Sequence, residues 1–106
     1  MNKRRRRSHV RKRAAIDLNC TADGENSEGR SKNMSLGGAF LLIDRAPGFG
    51  QEIELFIRFP GFSETRCLPA TVRWVSANGV GVQFGALDAQ TTYEMTEYLA
   101  SCEDDD

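Results

Sequence analysis

The chain has 106 residues, 40% of them hydrophobic and 27% charged, with a formal net charge of −1. That is one domain around a single core, and no apolar run approaches the roughly 18–20 residues of a membrane helix. Three cysteines (Cys20, Cys67 and Cys102) with no CxxC pair, and one histidine (His9), argue against both a disulfide framework and a zinc site.

The charge is divided unevenly along the chain. Residues 1–13, MNKRRRRSHVRKR, carry eight Lys or Arg and no acid, whereas the remainder holds six bases against fifteen acids. A basic arm on an acidic body implies either association of arm with body or a specific anionic ligand. The arm lacks the apolar segment of a secretory signal, so the expected location is the cytoplasm. In that reducing compartment Cys20 and Cys67 are expected as small core residues.

From Ala14 the charge run gives way to alternation. Ile16, Leu18, Cys20 and Ala22 fall on one face, which predicts a half-buried strand. Asp23 to Gly29 reads as turn and loop, followed by a short strand from Arg30 to Met34 that Ser35-Leu36-Gly37-Gly38 breaks. Ala39–Ile43 is a compact apolar strand, and residues 45–50 are a connection. Ile53, Leu55, Ile57 and Phe59 recur at every second position, with Glu52, Glu54 and Arg58 facing out. Residues 66–76 form another strand, in which Pro69 demands an edge or a bulge. A turn at Ala77-Asn78-Gly79 returns the chain through Val80, Val82 and Phe84. Asp88 is a helix N-cap, and Tyr93, Met95, Tyr98 and Leu99 are expected to pack that helix on the strands. Six short strands and one terminal helix predict a small all-β protein, an antiparallel barrel with a C-terminal helix.

Catalysis is not expected. The sole histidine lies in the arm, no paired carboxylates mark a pocket, and there is no GxxxxGK[ST] phosphate loop. Two stretches carry the chemistry instead. The arm contains RxxxR from Arg7 to Arg11, and Asn33 to Gly38 reads NMSLGG, an NxSxxG element at a strand end. The arginine fork matches phosphate oxygens and the O6/N7 edge of guanine. Asn reads a base edge, a Ser hydroxyl can bond phosphate or guanine, and Gly admits close backbone approach.

At these residues the sequence resembles the PilZ domain family, whose members bind cyclic di-GMP. The resemblance runs through RSHVR, NMSLGG, AFLLID, VRWVS, GVGVQF and a closing helix. It implies a six-stranded barrel whose arm folds over the ligand. Arg7 and Arg11 would contact phosphate and guanine, with Asn33, Ser35, Gly37 and Gly38 on the barrel side. Arg6, just ahead of RxxxR, tends in this family to accompany two stacked ligands per chain. Arg4, Arg5, Lys12 and Arg13 exceed what the motif requires. Trp74 has two readings, ordinary packing through its large buried area or a ring against guanine; Arg73 is expected on the opposite, solvent-facing side by alternation.

The division expected is therefore a ligand-clamping arm over 1–13, a barrel with helix over 14–102, and a solvated acidic tail over 103–106. The leading expectation is a receptor that orders its arm on cyclic di-GMP and presents a new surface to a downstream protein, as a monomer or weak dimer. No cofactor, metal or membrane insertion is expected. The alternatives are a basic-armed barrel that binds RNA or DNA, and a PilZ-like adaptor that binds no nucleotide. Against the former, the body is acidic and offers Trp74 as its main stacking residue.

Overall fold

Alternating apolar side chains need a common interior, and six strands supply it by closing on themselves. The computed structural model describes residues 10–105. Its elements are β1 (Asp17–Ala22), β2 (Glu25–Met34), β3 (Gly38–Ile43), β4 (Glu52–Arg58), β5 (Thr65–Ser76), β6 (Gly79–Phe84) and α1 (Ala89–Ala100). All strand pairs are antiparallel, in the order β1-β2-β3-β6-β5-β4, and β1 pairs with β4 to close the barrel. Closure removes the open edges that a six-stranded sheet would leave.

Inward positions follow the predicted alternation closely in β1 and β4. Leu18 and Cys20, then Ile53, Leu55, Ile57 and Phe59, are all buried. Met34, Leu41, Leu68, Val72 and Val80 complete the same core, and Met95 and Leu99 of α1 join it. The helix lies where β4 runs into β5. Tyr98 packs on Phe59 and Tyr93 on Phe62, with ring centroids 6.2 and 6.0 Å apart. Asp88 caps the helix, its Oδ1 accepting from the Thr91 amide at 2.7 Å.

Three local expectations are corrected and one is met. First, β2 begins at Glu25, not Arg30. The connection from β1 is the two residues Asp23-Gly24 with φ of 54° and 77°, the doubly positive pair of a tight hairpin turn. The residues after it are polar and largely exposed, so backbone pairing to β1 carries a stretch that shows no apolar alternation.

Second, Pro69 takes the edge position expected of it, where β5 runs past the end of β6. It pairs with Glu54 of β4, while its carbonyl accepts from Gly85 just beyond the end of β6. Its missing N–H faces that same side, beyond the last residue of β6, which is the local edge that proline tolerates. The bulge of β5 lies at Arg73 instead.

Third, Cys67 is exposed on β5, and only Cys20 of the expected pair is in the core. Fourth, Tyr93 is 54% exposed, and the buried face of α1 is Thr91, Glu94, Met95 and Leu99. Glu94 can be buried because Arg66 grips it with two bonds, Nε to Oε1 at 3.1 Å and Nη2 to Oε2 at 2.7 Å.

Candidate functional site

The two motifs meet. Arg11 Nη1 donates to Asn33 Oδ1 at 2.7 Å, joining residues 22 apart in sequence. What brings Arg11 there is the path of the chain ahead of β1. Ser31, 1% exposed, accepts from the Ile16 amide at 3.0 Å and donates to the Ala14 carbonyl. One turn of pairing further on, Lys12 bridges Met34, its amide to the Met34 carbonyl at 2.8 Å and the Met34 amide to its own carbonyl at 3.0 Å. The base of the arm therefore runs along β2 as a broken continuation of β1, and Arg11 emerges beside Asn33.

Asn33 begins a row that crosses four strands. It pairs with Phe40 of β3, Phe40 with Gly81 of β6, and Gly81 with Trp74 of β5. With strands about 4.8 Å apart, the row spans about 14 Å of the outer barrel surface. Trp74 is 64% exposed and meets Phe40 edge to face at 6.2 Å, so the core-packing reading of its ring is excluded. A Cβ on Gly81 would sit 3.2 Å from Trp74 Cβ, so glycine leaves the space that the indole covers. Arg73, the bulged residue, is exposed as well, not opposite Trp74, and its Nε donates to Gln83 Oε1 at 3.0 Å. The outer face thus presents an arginine, an amide and two aromatic rings in line.

The remaining motif residues shape the turn between β2 and β3. Ser35 is buried, and its hydroxyl oxygen accepts from the amides of Gly37 at 3.1 Å and Gly38 at 3.3 Å. Its own amide donates to the Gly38 carbonyl at 2.8 Å, and the Gly37 carbonyl accepts from Phe84 at 2.9 Å. A side chain at Gly38 would place Cβ 2.2 Å from the Val82 carbonyl oxygen. Ser35 and Gly38 are thus explained by the turn and by the closeness of β6, whereas Asn33 and the exposed Leu36 are what the turn displays. Arg6 and Arg7 lie outside the described residues, as does His9.

Sequence reasoning missed Phe40, Gly81 and the role of Lys12. Phe40 read as one more member of an apolar run. Gly81 carried a usable signal, a glycine at an outward position of an otherwise alternating strand. The acidic tail, with Glu103 and Asp104 exposed, also pairs with the base of the arm: Lys12 Nζ meets Asp104 at 2.9 Å, and Arg13 lies 3.7 Å from Glu103 and 3.6 Å from Asp105.

Perturbed ionisable groups sit away from this face. Hydrogen bonding to Arg66 holds the Glu94 carboxyl below its usual range, and the Thr91 amide does the same for Asp88. Burial pushes the Cys20 thiol up and the Tyr98 hydroxyl up to about 12. Among the described residues no three His, Cys, Asp or Glu side chains gather as a metal-binding group, and no helix is long and apolar enough to cross a membrane.

Comparison with known proteins gives a consistent picture. The PilZ domain model matches residues 5–101. No curated protein matches. Among solved structures, the chain is similar to the Bacillus subtilis inhibitor of motility (MotI/DgrA), with TM-score 0.73 and 22% identity, covering 95% of this chain and 55% of that one. This chain therefore spans about half the length of that protein. It is also similar to the PilZ domain of CeSA from a cellulose-synthesizing bacterium, with TM-score 0.66 and 15% identity, over 85% of this chain and 94% of that one. At these identities the two structures speak for the fold, and the family match carries the assignment. The chain belongs to the PilZ domain family, which generally binds cyclic di-GMP and comprises non-catalytic second-messenger receptors.

Proposed function

We propose that this chain is a cytoplasmic cyclic di-GMP receptor in which residues 1–13 clamp the ligand against the outer row from Asn33 to Trp74. The observation that carries the reading is the 2.7 Å bond from Arg11 to Asn33, which already joins the RxxxR and NxSxxG elements. In this reading Arg7 and Arg11 supply bidentate donors to phosphate and guanine, and Asn33 reads a base edge. Ser35, Gly37 and Gly38 hold the turn that lets backbone approach the ligand. Trp74, with Phe40 behind it, offers an exposed ring for stacking on guanine. Arg6 adds a fork for a second ligand, giving two per chain. Neutralised by phosphates, the part of the arm ahead of Arg11 settles on the acidic barrel, and the altered surface is what a downstream protein recognises.

Calorimetry tests this directly. Cyclic di-GMP is expected to bind, and cyclic di-AMP far more weakly, because adenine lacks the O6 acceptor. Arg7→Ala or Arg11→Ala should each cost about 1–3 kcal/mol of binding with the fold intact. Two ligands per chain should fall to one in Arg6→Ala. Equal affinity for the adenine analogue would refute the guanine reading. Steep weakening by salt, with binding to arbitrary oligonucleotides, would favour the nucleic-acid alternative instead.

A further inference from the structure

The base of the arm is held from two sides. Lys12 turns its amide and carbonyl toward Met34 of β2, so the flanking groups of Arg11 and Arg13 face the opposite way. There they meet the acidic segment that follows α1. The Arg13 amide donates to the Glu103 carbonyl at 2.8 Å, and the Asp105 amide donates to the Arg11 carbonyl at 2.9 Å. Lys12 and Asp104 are thus paired as an antiparallel bridge, and their side chains close it at 2.9 Å. Lys12 Nζ also reaches the Cys102 carbonyl at 3.5 Å. Residues 11–13 are the middle strand of three, between the end of β2 and residues 103–105.

We infer that residues Glu103, Asp104 and Asp105 form a positioning clip, which fixes the register of the arm's base so that Arg11 stands at Asn33 before ligand arrives. This rests on the receptor reading of the site. The contact is specific because it is made by backbone groups at set spacing on both sides of Lys12, while charge alone would tolerate any register. Arm residues 11–13 then do not have to be ordered at the moment of binding. Apparent affinity scales with the fraction of chains whose arm is already competent, so loosening the clip lowers affinity.

The consequence is opposite in sign to plain electrostatics. Removing acidic charge near a basic site that takes an anionic ligand should tighten binding if the tail merely screens or competes. If the tail positions the arm, its removal weakens binding. Two variants separate these outcomes: Asp105→Pro, which deletes the amide bonded to Arg11, and the triple change Glu103→Gln, Asp104→Asn, Asp105→Pro. Neither touches a member of the hydrophobic core.

Amide exchange at Arg13, measured without ligand, reads the clip itself, and calorimetry with cyclic di-GMP reads its consequence. Wild type is expected to protect the Arg13 amide. The triple variant should lose that protection, keep its melting temperature and bind on the order of tenfold more weakly. Asp104→Glu should retain wild-type affinity, because it keeps the charge and the backbone bonds. Unchanged or tighter binding by the triple variant overturns the inference, as does a rapidly exchanging Arg13 amide in the wild type. A wild type that gives no heat with cyclic di-GMP removes the receptor reading instead, and is recognised by an Arg13 amide that is still protected.

Discussion

The motif glycine at position 38 yields the sharpest test of what the NxSxxG element does. Gly38 pairs with Gln83 across the β3–β6 ladder. A Cβ added there would lie 2.2 Å from the Val82 carbonyl oxygen and 3.3 Å from its carbon. Ordinary carbon–oxygen contacts start near about 3.3 Å, so roughly 1 Å of separation has to be found. The obstacle is backbone of a paired strand, which cannot rotate away, so β3 and β6 must part at the point where Phe84 also bonds the Gly37 carbonyl. Overpacking of this kind costs about 1–3 kcal/mol. Taking about 2 kcal/mol, the melting temperature of a domain this size should fall by about 8–16 °C. Gly48→Ala is the matched control, because its Cβ would meet nothing within 4 Å; there the expected change is zero or a small gain of about 0.4–1 kcal/mol. Thermal unfolding followed by circular dichroism compares the three proteins. Gly38→Ala melting together with wild type would show that β6 does not dictate glycine here, and the residue would have to be explained by ligand alone.

Three further outcomes are expected. Ser35→Ala leaves the Gly37 and Gly38 amides without their acceptor and should cost about 1–3 kcal/mol of stability in urea unfolding, whereas a purely ligand-facing serine would cost none. Glu94 is held below its ordinary value of 4.5 in the folded chain, first by its bond to Arg66, so the stability it lends is complete above that value and is lost as pH falls through the depressed one. Arg66→Met should flatten this acid limb of a stability–pH profile, and an unchanged limb would place the acid sensitivity elsewhere. Native protein should expose Cys67 to a thiol reagent and withhold Cys20 until unfolded, with Cys67 reacting faster in alkaline buffer because partial desolvation and the neighbouring Glu54 carboxylate raise its pKa; equal native reactivity of the two would contradict the orientation of β5.

How much of this was legible depends on whether a residue's surroundings are local. β1 and β4 were readable because each has one buried and one wet face, and period-two apolarity is the direct imprint of that. The Asp23-Gly24 turn carried the strongest short-range hairpin signal, yet the polar residues beyond it hid β2, since its ladder to β1 consists of backbone bonds to which side chains contribute little. The buried face of α1 was obscured for a different reason. Two of its members, Thr91 and Glu94, are polar, and Glu94 is tolerated only because Arg66 arrives from a strand 28 residues earlier. No local pattern encodes a partner at that distance. The RxxxR and NxSxxG elements were visible as motifs, but that Ser35 turns its hydroxyl inward could be seen only once the turn was folded.

Two bulges explain why the outer row exists at all. Along β2, Ser31 is buried, and strict alternation would send Asn33 inward after it and Met34 outward. The ladder instead slips between Ser31 and Asn33, absorbing Lys32, so Asn33 turns out and Met34 becomes fully buried. Along β5 the same happens after buried Val72. The slip absorbs Arg73, and Trp74, which alternation would have driven into the barrel, lands outside against Phe40. A one-residue shift reverses every following side chain, so each bulge converts a core position into a surface one at the cost of one unpaired residue. Both inserted residues are basic and exposed. The two slips lie on strands separated by β3 and β6, and between them they bring Asn33 and Trp74 into one cross-strand register with Phe40 and Gly81. Undoing either would leave the barrel order unchanged while removing one end of the row, which is why a regular six-stranded barrel of the same composition would have a core but no such face.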